Sequence, residues 1–190
     1  VEISEAAFLE PLATVVSGMH RLHLQPSDRV FVIGAGTMGI LNALVAKAYG
    51  CSVYQSEMME KKIKAARELG INCIDVANKD VVDTIREESG VDGFDVVIVA
   101  VGVTAAYEQA FKLLKEKAGT VLFFAAGFPE PEFGIKPNEV HYRKMTIVGT
   151  YTANFQDFEE AAKLLSDKKI DVSKLVEKRI PFDQIKEAFD

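Results

Sequence analysis

The segment Gly34-Ala35-Gly36-Thr37-Met38-Gly39 constrains this chain more than any other. The apolar run Val30-Phe31-Val32-Ile33 leads directly into it, and Ile40 to Tyr49 beyond it reads as a helix. Strand, glycine turn and helix in that order form the setting in which G-x-G-x-x-G holds a dinucleotide. Each glycine has its own reason. Gly34 permits the tight turn, Gly36 lets a pyrophosphate approach the main chain, and Gly39 lets the helix lie close on the strand. The helix start, at Thr37 and Met38, offers unpaired N–H groups and the positive end of its dipole to phosphate.

A glycine turn alone is weak evidence, so the following strand matters. Cys51 to Glu57 reads as a short strand ending in an acid. Glu57 follows Gly39 at close to the roughly 20-residue interval of the acid that takes the ribose hydroxyls. A carboxylate there suits NAD and repels the additional phosphate of NADP. A solvated acid at a strand end is the plainer alternative. Lys61 and Lys62 come a turn later and, with Lys64, read as the solvated face of a helix.

The elements alternate along the chain. Strands are expected near 29–33, 52–56, 73–75, 94–101, 120–125 and 145–150. Helices are expected at 37–49, 59–69, 80–89, 104–117 and 157–167. Two earlier helical segments lie at 4–8 and 12–20, separated by Pro11. A Pro- and Gly-rich loop spans Gly127 to Asn138, Leu175 to Ile180 reads as extended, and Phe182 to Phe189 as a terminal helix. Strands separated by helices imply a parallel sheet covered on both faces, and right-handed crossovers make it doubly wound, a Rossmann-type α/β fold. A cofactor then belongs at the carboxyl ends of the strands. The small residues Val101, Gly102, Ala125 and Ala126 stand at two such ends. They leave room for a nicotinamide, and they are equally ordinary turn residues.

Composition narrows the class. The chain has 190 residues, 48% of them hydrophobic, and a net charge of −6. That is enough apolar matter for a sizeable core, and the charge argues against a nucleic-acid partner. No apolar run reaches the roughly 20 residues of a membrane span, and no signal peptide is visible. Cys51 and Cys73 lack metal spacing and read as small buried hydrophobes. Reduced thiols suit the cytoplasm. The chain begins with Val1 and reads as a piece of a longer protein.

Several stretches together resemble the nucleotide-binding half of the medium-chain, zinc-dependent alcohol dehydrogenase superfamily, closest to its sorbitol (polyol) branch. They are Ala6 to Ala13 with its Glu-Pro-Leu, Val32 to Gly39, Ala66 to Gly70, Phe158 to Ala161, Lys169 to Asp171 and Ile185 to Phe189. The resemblance implies a division into residues 1–28, leading from an absent catalytic domain, a dinucleotide domain at 29–155, and a portion at 156–190 returning toward the catalytic domain. It implies NAD as cofactor and zinc in the intact enzyme, where zinc acts as Lewis acid while hydride passes between a secondary alcohol and NAD. Catalytic residues are expected outside this chain, which by itself should bind cofactor without turnover. Glu10 is the exception: in the polyol branch the glutamate of the Glu-Pro segment lies beside the zinc. A helix-start acid favouring the dipole is the alternative. His20 and His23 share a helical face without a third ligand and read as surface residues, while His141 is placed in a loop. Thr152 stands where many polyol relatives carry Arg. The partners implied are a small alcohol or polyol and a second copy of the chain, joined through the sheet edge at Met145 to Tyr151. Threonine or sugar-phosphate dehydrogenases, a free-standing NAD sensor and a methyltransferase are the competing readings.

Overall fold

Val30, Phe31 and Val32 leave no polar side chain for water, and a strand so composed is covered on both faces. In the computed structural model, which describes residues 2–77 and 79–188, this run is the inner strand around which the rest is laid. The order is α1 (Ile3–Ala6), α2 (Leu9–Leu22), β1 (Arg29–Ile33), α3 (Thr37–Ala48), β2 (Ser52–Glu57), α4 (Glu60–Glu68), β3 (Asn72–Asp75) and α5 (Val81–Ser89). It continues with β4 (Val96–Val99), α6 (Thr104–Leu113), β5 (Thr120–Phe123), α7 (Pro137–Arg143), β6 (Thr146–Gly149) and α8 (Phe155–Ser166). Short 3-10 turns follow at Ser173–Leu175 and Phe182–Ala188.

The strands form one parallel sheet in the order β3-β2-β1-β4-β5-β6. The chain steps outward from β1 through β2 and β3, then crosses back to the other side of β1 at β4. That reversal opens a crevice at the carboxyl ends of β1 and β4, the place where such sheets receive ligands. The doubly wound, Rossmann-type fold is as expected from the alternation.

Side-chain alternation along each strand divides the interior in two. Val30, Val32 and Ile98 face a core shared with Leu12, Val16 and Met19 of α2, Leu41 of α3 and Leu165 of α8. Phe31, Ile33, Val97 and Val99 face the other core, with Ile85, Tyr107 and Phe111. The two early helical segments of the sequence are therefore part of the main packing layer.

Local departures have visible causes. The helix expected to reach Lys117 stops at Leu113, because Leu114 turns extended and bridges Phe94. Arg143 then holds the released carbonyls of Phe111, Leu114 and Lys115. Helix α7 falls partly in the stretch expected as loop, and it contains His141. The segment after Val176 has no regular strand, and the expected terminal helix is a 3-10 segment kinked at Gln184; Phe189 lies outside the described residues.

Candidate functional site

The glycine turn takes its shape from contacts that only glycine allows. Gly34 has φ +97°, a conformation costly for any other residue. A Cβ on Gly39 would lie 2.0 Å from the Gly34 carbonyl oxygen, so the helix can sit on the turn only without one. Gly36 differs: a Cβ there would meet nothing within 4 Å. Its emptiness leaves open the space in front of α3. Among the described residues no side chain caps that helix, and its first internal bond runs from Ile40 N–H to Gly36 C=O. The preceding amides, including those of Thr37 and Met38, lie at the positive end of a 12-residue helix, a natural anion seat.

The end of β2 grips this turn through three successive residues. Gln55 donates from Nε2 to the Gly34 carbonyl at 2.8 Å. The Ser56 carbonyl accepts from Gly34 N–H at 2.9 Å. Glu57 accepts from Ala35 N–H on Oε2 at 3.0 Å, while its Oε1 accepts from the amides of Met58 and Met59. The carboxylate is thus fixed beside the turn by main-chain donors: Oε1 already takes two of them, and Oε2, with one, keeps acceptor capacity to spare.

A cavity of about 330 Å³ opens here, bordered by Gly34, Gly36, Glu57 and Val101. Val76, Val81 and Val103 complete its apolar side, and Gln109 and Lys62 add polar groups to its lining. These last residues carried no signal in the sequence beyond Lys62, which belongs to a basic run on α4.

The other expected residues go elsewhere. Met38 borders a second cavity of about 340 Å³ with Glu10, Thr14, Phe124, Thr150 and Thr152. Glu10 is exposed in the first turn of α2. Among the described residues no group of three or more His, Cys, Asp and Glu side chains could hold a metal. Glu10 therefore offers one hard oxygen ligand, and a zinc ion would need the remainder from beyond these residues. Thr152 holds φ +61°, a region β-branched residues rarely enter.

Gly102 and Gly127 lock the ends of β4 and β5 together. A Cβ on Gly102 would lie 2.3 Å from the Ala126 carbonyl oxygen, and one on Gly127 would lie 2.2 Å from that of Gly102. Close main-chain approach accounts for these small residues without any ligand. The Ala125 carbonyl accepts from the Tyr107 hydroxyl at 2.6 Å. Ala126 borders a third cavity, of about 530 Å³, with Phe128 and Phe133.

Two further expectations concern titratable groups. His20 is half-exposed, yet both ring nitrogens are engaged, Nδ1 with Asp157 and Nε2 with Glu160, each at 2.8 Å. Partial burial works to lower its pKa, but the hydrogen bonds and charges of Glu160 and Asp157 outweigh it, so the imidazole titrates above its usual value. Tyr49 donates its hydroxyl to the same Glu160. Cys51 and Cys73 are buried and unpaired, and burial pushes both thiols up to about 11, making them inert.

Comparison with known proteins adds the family. The model of the family described as "Zinc-binding dehydrogenase" matches residues 37–167. The chain belongs to the zinc-binding dehydrogenase family. A sorbitol dehydrogenase of Halalkalibacterium halodurans is 30% identical over 180 residues, covering 93% of this chain and 52% of its own length. A D-altritol 5-dehydrogenase of Agrobacterium fabrum is 30% identical over 185 residues, 95% of this chain and 53% of its length. A solved structure from Sinorhizobium meliloti 1021, provisionally named a zinc-binding dehydrogenase and bound to NADP, superposes with a TM-score of 0.81 at 27% identity. It covers 88% of this chain and 50% of that one. The chain spans about half the length of the curated relatives it matches.

Proposed function

We propose that this chain is the NAD-binding domain of a zinc-dependent alcohol or polyol dehydrogenase, whose intact form moves hydride between a secondary alcohol and NAD. One observation carries the reading: the Glu57 carboxylate, bonded to the turn through Ala35 N–H, borders the same cavity as Gly34 and Gly36. The amides at the start of α3 would receive the diphosphate, Glu57 the adenosine ribose, and the wall of Val76, Val81 and Val103 the adenine. Bound there, NAD supplies the hydride-accepting ring, and the protein supplies position. Glu57 favours NAD, since a carboxylate repels a 2′-phosphate. The relative holding NADP and the cation of Lys62 at the rim make this preference the part most worth measuring.

Glu10 would stand beside the zinc ion, which when present supplies Lewis-acid polarisation. The substrate is a small alcohol or polyol in this reading, and the exposed edge at β6 is the surface for self-association. Two reduced, buried thiols fit a cytoplasmic setting. Among the described residues no helix is long and apolar enough to cross a membrane.

The test is a fluorescence titration of the chain with NADH and NADPH. The wild type should bind NADH more tightly, without turnover. Glu57→Gln should weaken NADH about tenfold and narrow the ratio between the two. A wild-type chain that binds neither nucleotide, or a Gln variant with an unaltered ratio, contradicts the proposal.

A further inference from the structure

We infer that Gln55 is a positioning residue that aims the amides of the glycine turn, so that its side chain governs diphosphate affinity without touching the ligand. The inference rests on the dinucleotide reading above and adds a residue that the glycine motif does not contain.

Gln55 is fully buried in the middle of β2, between Val32 of β1 and Cys73 of β3. It projects to the side of the sheet that α3 covers, where its Nε2 donates to the Gly34 carbonyl at 2.8 Å. A Cβ built on Gly39 would lie 3.1 Å from that same nitrogen. Gln55, the Gly34 carbonyl and the Gly39 backbone therefore meet at one point beneath the turn. Among the described residues, Gln55 Oε1 has no hydrogen-bond partner. An aliphatic side chain would fill this apolar layer without leaving a buried acceptor unpaired, which is costly. What the glutamine provides in exchange is its donor.

That donor has a geometric effect. A peptide plane has one orientation, so fixing the Gly34 carbonyl downward fixes Ala35 N–H, and with it the course of the chain into Gly36 and α3. Glu57 holds the same peptide from its other end, through Ala35 N–H. The two side chains thus clamp one peptide unit, whose rotation would turn the following amides away from the open space at Gly36. Preorganised donors bind an anion better than donors that must reorient.

Gln55→Met keeps length and volume and removes the donor; Gln55→Leu serves as a second variant, and melting curves establish that each is folded. Titrations with ADP and with adenosine, and amide chemical shifts of the free protein, give the readouts. ADP affinity should fall about tenfold while adenosine changes less than twofold, because only ADP uses the turn amides. Amide resonances of Ala35 to Met38 should move while those of β4 to β6 stay in place. Equal losses on ADP and adenosine, or no loss on either, would overturn the positioning role. A wild-type chain that fails to bind ADP would instead remove the dinucleotide reading, and this inference with it.

Discussion

Gly36 and Gly39 share a motif and have opposite physical roles. At Gly39 an added methyl runs into the Gly34 carbonyl at 2.0 Å, and a main-chain atom cannot step aside. Gly39→Ala should therefore cost about 3 kcal/mol of folding stability, measurable by chemical denaturation. At Gly36 the backbone is extended, with φ −69° and ψ 176°, which any residue adopts. Gly36→Ala should leave stability within about 0.5 kcal/mol and lower NADH affinity at least about tenfold. Loss of stability in the Gly36 variant, or unchanged affinity, would contradict that assignment. Thr152 offers a third case, since its left-handed backbone costs roughly 1–2 kcal/mol. Thr152→Gly should raise the unfolding free energy by about 1 kcal/mol. The glycines and Glu57 were legible because their chemistry follows from spacing. Gln55 was not, since nothing about a glutamine between Tyr54 and Ser56 reveals that its partner is a carbonyl on the turn before.

Helices α2, α3 and α8 are joined on their outer side by His20, Tyr49, Asp157 and Glu160. Asp157 also accepts from Asn154 N–H at the start of α8, so one buried carboxylate serves a cap and a cross-helix bond. His20 has a raised pKa in the folded chain. Its contribution is then complete below the unfolded histidine value of about 6.5 and is lost as pH climbs through the folded value. Side-chain exposure of 45% limits it to roughly 1 kcal/mol. The melting temperature should fall as pH rises above about 6.5, and His20→Gln should flatten that fall; a parallel decline in the variant would exclude His20 as its source. Sequence periodicity located most elements because their apolar faces repeat. It missed α7, which buries no side chain and so has no repeat to read; Pro137 at its first turn was the available sign. His20 is exposed, as its reading as a surface residue expects, but its partners carry no sequence signal because Asp157 and Glu160 approach from the far end of the chain.

The sheet order places residues distant in sequence around one crevice, and α2 seals the layer beneath it. Leu12, Val15, Val16 and Met19 are 0–1% exposed. Each such burial is worth about 1.5–3 kcal/mol, so together they rival the net stability of roughly 5–15 kcal/mol typical of a domain. A chain beginning at Arg29 should lose its cooperative melting transition and bind a hydrophobic dye, even though every glycine of the turn is retained. A sharp transition in that truncation would show that α2 is dispensable for folding.

Gly102 and Gly127 leave each other no room for a methyl group, and that fixes what can vary around the neighbouring cavities. The floor between β4 and β5 is bare peptide, closed to adjustment by mutation. A change in the shape of molecule accepted in the third cavity, which Gly127 lines, must come from residues standing on its walls, such as Phe128 and Phe133, while the base beneath them keeps one form.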